Sequence, residues 1–430
     1  MQIIELIEAT GAKVLAEVDK DLDVKISTDT RTIQKGDFYL PLKGASFDGE
    51  KFINQAFEKG AIGAFCTGDN GTLQVKDTLT AYLQLANYRR KKLNFTVVAI
   101  TGSSGKTTTK ELAASVLSEK FRTFKTPLNH NNEIGFCQTI FEAPDDTEIL
   151  VLEMGMRGLG EIELLSKYAE PDITIISNVG TAHIGRLGSR ENIAKAKCEI
   201  VKYQRGNIFI AHDDELIKKT VQFSGKKIFY SIKDVKILEK DTHYSKFEYY
   251  GNIYELNVGG DYNIENALSA INTGLALRMK VNEIQSGLKK YAPIEKRWEA
   301  VNAGGFEIIN DSYNANPESM RAFIDTMFEL YEKPVVILGD MGELGEDEIK
   351  YHSELGKYIN SHKNLRQDAE ILSIGKLSKY ITDGVTNCPA KHFETIEQAV
   401  DYIKNKDTKV QLFLKASRSM KFERIIEELK

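Results

Sequence analysis

Apolar and polar positions fall into two kinds of block along the chain. Val24-Lys25-Ile26-Ser27 alternates with the two-residue period of a half-buried strand, and Phe38-Tyr39-Leu40 reads as another short strand. Residues 52–59 carry a helical pattern that Gly60 stops. Thr96-Val97-Val98-Ala99-Ile100, Ile149-Leu150-Val151-Leu152 and Ile173-Thr174-Ile175-Ile176 are near-continuous apolar runs, as expected of parallel strands covered on both faces. Helical patterns at 106–119 and 192–203 alternate with them, which predicts a doubly wound, mostly parallel sheet. The pattern restarts at Arg297. Strands are expected at Glu307-Ile308-Ile309, Val335 to Leu338, Ile371 to Ile374 and Val410 to Leu414, with a helix over 317–331 whose Pro317 suits a first turn. The fold class is therefore α/β with three domains. A small N-terminal α/β domain over 1–92 ends at the basic run Arg89-Arg90-Lys91-Lys92. A central doubly wound domain spans 93–296, and a C-terminal Rossmann-like domain spans 297–430.

The length of 430 residues fits three domains of roughly 150 residues each. Lys and Arg number 57 against 62 Asp and Glu, a net charge of −5, which argues against broad nucleic-acid binding. No apolar run approaches the roughly 18 residues of a membrane span, and the start, Met1-Gln2-Ile3-Ile4-Glu5, carries acid where a signal peptide carries positive charge. Cys66, Cys137, Cys198 and Cys388 are scattered and frame neither a zinc site nor a disulfide scaffold. A reducing cytoplasm is the expected compartment.

The chemistry begins at Thr101-Gly102-Ser103-Ser104-Gly105-Lys106-Thr107-Thr108, between a strand and a helix. Its glycines permit a tight turn, and successive N–H groups at a helix start make an anion site. Lys106 would hold β- and γ-phosphates and the Thr107 hydroxyl a Mg²⁺ ion. The form present is the short G-x-x-G-K-T, since Ile100 stands where the longer pattern has its first glycine. Glu153 and His183 follow two further apolar strands, at the strand ends where open α/β sheets bind ligands. A carboxylate and an imidazole there can hold a metal, although a lone histidine more often serves in a structural hydrogen bond. Lys197 lies on the next helix. Composition gives it no role, and a protonated lysine beside Mg²⁺ would be repelled.

The order of motifs resembles a known family. It runs from the phosphate loop through Glu153-Met154-Gly155, Asn178-Val179-Gly180-Thr181-Ala182-His183, Ala194-Lys195-Ala196-Lys197 and Asn263-x-x-Asn266-Ala267 to Arg297 and Asp311-Ser312-Tyr313-Asn314-Ala315-Asn316-Pro317. This resembles the Mur ligases, the ATP-dependent amide-forming enzymes of peptidoglycan precursor synthesis, over nearly the whole chain. Asn129-His130-Asn131-Asn132-Glu133-Ile134-Gly135, Leu338-Gly339-Asp340-Met341-Gly342-Glu343-Leu344-Gly345 and Asp311 to Met320 resemble the branch that adds D-alanyl-D-alanine to a UDP-N-acetylmuramoyl-tripeptide. Gly185 departs from the pattern, standing where many relatives carry an acid.

The resemblance implies the following roles. Lys106, Lys197, His183 and Glu153 are catalytic. ATP is held by Gly102, Ser103, Ser104, Gly105, Lys106, Thr107 and Thr108, with Asn266 at the adenine, Arg297 at the phosphates and Asp311 at the ribose. Two Mg²⁺ ions are expected, with Thr107, Glu153, His183 and a carbamoylated Lys197 as the protein's ligands. Ser27, Thr28, Arg31, Gly44, Phe47, Asp48 and Gly49 resemble the UDP-sugar-binding part. Asn129, Asn131, Asn132, Asn314 and Asn316 are candidates for peptide contacts. The implied partners are small molecules only: ATP, the UDP-N-acetylmuramoyl-tripeptide and D-alanyl-D-alanine. A monomer is expected. The rival readings are a Mur ligase adding the third residue, a folylpolyglutamate synthetase, and a non-catalytic P-loop regulator or transporter ATPase.

Overall fold

A computed structural model describes residues 1–44, 47–127, 129–294 and 296–430. The chain forms two compact units. One comprises Met1–Phe95 with Thr126–Glu148, and the other Thr96–Lys125 with Ile149–Lys430.

The first unit holds a five-stranded sheet in the order Lys13–Val14, Leu73–Gln74, Gly63–Cys66, Phe38–Tyr39, Ile26–Ser27. All neighbours are parallel except the first pair. The alternating run from Val24 pairs only over its last two residues. The expected helix at 52–59 is Ile53–Glu58, preceded by a 3₁₀ turn over Gly49–Phe52. Thr78–Leu93 is capped by Asp77, whose Oδ1 accepts from Thr80 N at 2.7 Å, and its last turn carries Arg90, Lys91 and Lys92 where the helix dipole favours cations. Arg89 from this helix donates to the carbonyls of Ile140 (3.2 Å) and Ala143 (2.9 Å) at the end of Glu133–Glu142, and Tyr82 stacks on Phe141. These contacts bind the segment 126–148 into the first unit, although chain order alone assigns it to the central domain.

In the second unit a six-stranded sheet runs Lys226–Tyr230, Ile208–His212, Ile173–Ile176, Thr96–Thr101, Ile149–Glu153, Thr123–Lys125, parallel throughout. The three apolar runs read from sequence are its central strands, buried at every residue but Thr96. The sheet grows in both directions from Thr96–Thr101. The chain beyond this strand, Glu153 and the segment starting at Ser177 therefore emerge side by side, at the kind of switch point that binds ligands. A three-stranded antiparallel sheet, Lys236–Lys240, Ser245–Tyr249 and Asn252–Leu256, has no counterpart in the sequence reading. A second six-stranded sheet runs Glu299–Ala303, Phe306–Asn310, Gln411–Lys415, Val335–Gly339, Glu370–Ile374, Ala390–Phe393, antiparallel only at its first pair. The expected boundary at 296/297 falls inside this compact unit. One hydrophobic cluster includes Val98, Ile100, Leu112 and Ile175 as well as Ile309, Phe323, Leu338 and Phe413. The helix expected at 192–203 is Arg190–Cys198, tightened into a 3₁₀ turn over Glu199–Val201. Among the described residues no helix is long and apolar enough to cross a membrane.

Candidate active site

The strand Thr96–Thr101 delivers the chain into the glycine-rich loop, and the helix Lys106–Leu117 carries it away. A Cβ at Gly102 would lie 1.8 Å from Ser177 Oγ. Gly105 has φ +77°, and a Cβ there would lie 2.4 Å from Asn266 Oδ1. A side chain at either position would therefore displace Ser177 or Asn266, and at Gly105 it would also be strained by the positive φ. Lys106 Nζ donates to Gly102 O at 2.8 Å, so the ammonium lies over its own loop. Burial lowers its pKa. The nearby Glu153 and Glu343 carboxylates oppose that shift, and the Arg297 guanidinium adds to it. Lys106 is thus the charge that four groups read from sequence or motif share: Glu153, Arg297, Glu343 and Lys197. Thr107 and Thr108 are buried in the first helical turn.

Lys195 and Lys197 separate cleanly. Lys195 is exposed, whereas Lys197 is 1% exposed on the opposite face of the helix. Lys197 is therefore no solvated lysine. Burial, and then the neighbouring Lys106 ammonium, push its pKa well below the usual lysine value. An amine so placed is readily neutral. Glu153 is 5% exposed, with the Lys110 ammonium 3.8 Å from its Oε2. His183 Nδ1 lies 2.6 Å from Glu343 Oε2, and the His183 ring is the largest cause that lowers the Glu343 pKa. Both residues have positive φ, +67° and +61°. They meet where the backbones of Gly185 and Gly345 touch: a Cβ at Gly185 would lie 2.5 Å from Gly345 N. Any side chain at 185 would require the Gly345 backbone to shift. Among the described residues no three His, Cys, Asp or Glu side chains converge to hold a metal. A magnesium site here needs donors of other kinds, such as the Thr107 hydroxyl or a modified Lys197.

Asn266, on Asp261–Ala276, sits against the phosphate loop and accepts from Thr109 Oγ1 at 3.2 Å. Arg297 stacks its guanidinium 4.0 Å above the Tyr313 ring. Asp311 pairs with the buried Lys415 at 2.5 Å, and Lys415 also reaches Asn314 O at 3.3 Å. Asn314 Oδ1 accepts from Ala315 N. Asn316 caps Pro317–Leu330 through Ser319 N (2.9 Å), and Asn132 caps Glu133–Glu142 through Gly135 N (2.8 Å). Each oxygen already accepts one cap bond, and the amide nitrogen offers further donors to a ligand.

Asn129, Asn131 and Asn132 belong to the same compact unit as Ser27, Thr28, Arg31, Gly44, Phe47, Asp48 and Gly49. In that unit Arg31 is exposed and paired with Asp29, whose pKa it lowers to about 2. Ser27 Oγ donates to Asp29 O at 3.3 Å, and Thr28 is half-buried beside it. Gly44 N donates to Phe47 O, Asp48 caps the 3₁₀ turn, and a Cβ at Gly49 would lie 2.7 Å from Leu42 O. Phe47 is 54% exposed and stacked on Phe52.

Residues with no assigned role in the sequence reading also surround the loop. Glu318 accepts from Thr181, Glu343 meets His183, Lys110 meets Glu153, and Ser177 and Asn178 grip Ser104. Only Lys110, four residues beyond Lys106 on the same helix, had a spacing that pointed to it.

A parallel strand, a glycine-rich loop and a helix opening on Lys-Thr, with acids and a histidine at the adjoining strand ends, define a nucleotide-dependent α/β enzyme of the phosphate-loop class. Family models of the "Mur ligase middle domain" and the "Mur ligase, glutamate ligase domain" match residues 100–274 and 296–418. The UDP-N-acetylmuramoyl-tripeptide–D-alanyl-D-alanine ligase of Bacillus subtilis is 37% identical over 432 residues, covering 94% of this chain and 92% of its own. A crystal structure of MurF from Acinetobacter baumannii aligns with TM-score 0.89 at 28% identity, covering 100% of this chain and 98% of that one. MurF ligase from Thermotoga maritima in complex with ADP aligns with TM-score 0.84 at 27% identity, over 96% and 98%. The chain belongs to the Mur ligase family, in the branch of UDP-N-acetylmuramoyl-tripeptide–D-alanyl-D-alanine ligases.

Proposed function

We propose that this chain joins D-alanyl-D-alanine to UDP-N-acetylmuramoyl-tripeptide at the expense of ATP, giving the pentapeptide, ADP and phosphate. The observation that carries the reading is the phosphate loop, with Lys106 within electrostatic reach of Glu153, Arg297 and the buried Lys197. A carboxylate is a poor acceptor for an amine, so the tripeptide carboxylate first attacks the γ-phosphorus of ATP and releases ADP. The amine of the dipeptide then attacks the resulting acyl phosphate. Phosphate leaves with the C–O electron pair and the ammonium proton is lost. Lys106 and the first-turn amides hold the phosphates, and Arg297 adds positive charge beside them. The protein's contribution is positioning and charge neutralisation.

Magnesium bound here would supply further charge neutralisation on the phosphates. Thr107, Glu153 and His183 fit such an ion. Lys197 fits only as its carbamate, because a second buried ammonium would repel it. Its burial favours the neutral amine that adds to CO₂, with loss of one proton. Phe47 offers an exposed ring against which a uracil base would stack, in the unit that also carries Asn129 to Asn132. The enzyme works in the cytoplasm as a monomer, where ATP and nucleotide-activated sugars are present.

The test is phosphate release from ATP with purified protein, Mg²⁺, a UDP-N-acetylmuramoyl-tripeptide and D-alanyl-D-alanine, each omitted in turn. Release is expected only with both organic substrates. Release indifferent to the dipeptide would refute the assignment. Running tripeptides ending in diaminopimelate and in lysine identifies the preferred third residue.

A further inference from the structure

The segment that follows the strand Ile173–Ile176 grips the phosphate loop through its backbone and side chains. Ser104 N donates to Asn178 Oδ1 at 3.0 Å, and Asn178 Nδ2 donates to Ser104 O at 3.0 Å. Ser177 Oγ donates to the same Ser104 oxygen at 2.6 Å. Ser103 N donates to Asn178 O at 3.1 Å, and Gly180 N to Ser103 Oγ at 2.9 Å. Ser104 Oγ adds a longer bond to Asn178 Oδ1 at 3.3 Å.

We infer that Asn178 is a positioning residue for the nucleotide: its carboxamide clamps both backbone polar groups of Ser104, fixing the loop in its phosphate-binding shape. The argument is one of donor and acceptor count. Ser104 offers one N–H and one C=O, and a carboxamide presents an acceptor and a donor side by side. With the Ser104 N–H committed to Asn178, the amides left to face an anion are those at the start of Lys106–Leu117, which the helix itself leaves without partners. The clamp also ties the loop to the segment carrying His183. Nucleotide phosphates and the ligand end of the neighbouring strand are thereby held by one network. The inference rests on the proposed nucleotide site at Gly102 to Thr108.

The experiment measures ADP affinity by titration calorimetry, in the presence of Mg²⁺, for the full chain and for Asn178→Ala, Asn178→Asp and Thr181→Val. UDP-N-acetylmuramoyl-tripeptide affinity and thermal unfolding are recorded beside it. Asn178→Ala is expected to weaken ADP about 10- to 100-fold, through the loss of the three side-chain hydrogen bonds that hold Ser104. Asn178→Asp keeps an acceptor for Ser104 N–H, lacks the donor for Ser104 O and adds a negative charge. It should weaken ADP as well, by a factor that shrinks with added salt. The UDP-substrate affinity should stay within about twofold, and Thr181→Val, whose N–H still donates to Glu318, should weaken ADP by less than about threefold. Unchanged ADP affinity in both Asn178 variants overturns the inference. So does an equal loss in Thr181→Val, a parallel loss of UDP-substrate affinity, or failure of both Asn178 variants to fold. A wild-type chain that binds no ADP would instead refute the nucleotide site itself, and this inference with it.

Discussion

Glu318→Ala tests how the central strand ends are joined to the helix Pro317–Leu330. Both the N–H and the hydroxyl of Thr181 donate to Glu318 Oε2, at 3.0 and 2.8 Å. The carboxylate sits in the first turn of its helix, where the dipole favours an anion by about 0.3–1 kcal/mol. Its Cδ lies so close to Gly180 that a Cβ there would approach to 2.9 Å. Hydrogen bonds to a charged acceptor contribute about 1.5–3 kcal/mol. Truncation also leaves the Thr181 N–H without its acceptor. The local opening free energy of the segment 178–188 should therefore fall by about 2–3 kcal/mol. At about 1.4 kcal/mol per decade, amide exchange there becomes about 30- to 150-fold faster. Hydrogen exchange read by mass spectrometry on peptides covering 178–188 measures this directly. Peptides of the first unit serve as the internal reference. Glu318→Gln keeps an oxygen for both bonds and should fall between the two, about fivefold faster than wild type. Turnover should drop along with protection, because the same segment carries His183. Exchange within twofold of wild type in Glu318→Ala would refute the reasoning, whatever happened to turnover.

Lys106→Met should lower kcat by about 10²–10³, the usual cost of one electrostatic contact in a transition state, while circular dichroism and thermal unfolding stay close to wild type. Normal turnover in the folded variant would remove Lys106 from the site. Lys197→Ala should be inactive and partly restored by a small added carboxylic acid, whereas Lys195→Ala, at an exposed position, should keep its activity. The reverse pattern would mean that the modified lysine is the wrong one. His352 is fully buried and neutral: Nε2 accepts from Met341 N at 2.9 Å, Nδ1 faces Glu348 O at 2.7 Å, and burial lowers its pKa. The unfolded chain binds a proton near pH 6.5 that the folded chain refuses. Stability contributed by the neutral ring is therefore complete above about 6.5 and lost as pH falls towards the depressed folded value, by at most about 1.4 kcal/mol per pH unit. His352→Gln should flatten the acid side of a plot of urea midpoint against pH. An unchanged slope would show that the ring does not carry that dependence.

Contiguous features were legible because their chemistry is local. The phosphate loop needs two glycines, a lysine and a threonine at fixed spacing between a strand and a helix, and the chain carries them in one stretch. Fully covered parallel strands write themselves as unbroken apolar runs, so the three central strands were readable with few errors. Lys195 and Lys197 lie about 200° apart on any helix, so the sequence itself implied that they face different ways. The antiparallel sheet over Lys236–Leu256 is not legible in the sequence because its strands are edged with charge. Ile237, Leu238 and Ile253 are exposed, which blurs the two-residue period.

The sequence alone thus determined the kind of chemistry, the order of its motifs and the strands that carry them, since each depends on residues within a few positions of one another. Tertiary structure decided what those residues touch. It set Asn178 on Ser104, Glu318 on Thr181, Glu343 on His183 and Lys415 on Asp311, pairs separated by 74 to 160 residues. It also made Lys197 a buried amine beside Lys106, and it carried the segment 126–148 into the N-terminal unit. The reason is the same in each case. A buried polar group must find its partner wherever the packing of sheets and helices brings one, and no local spacing records that choice.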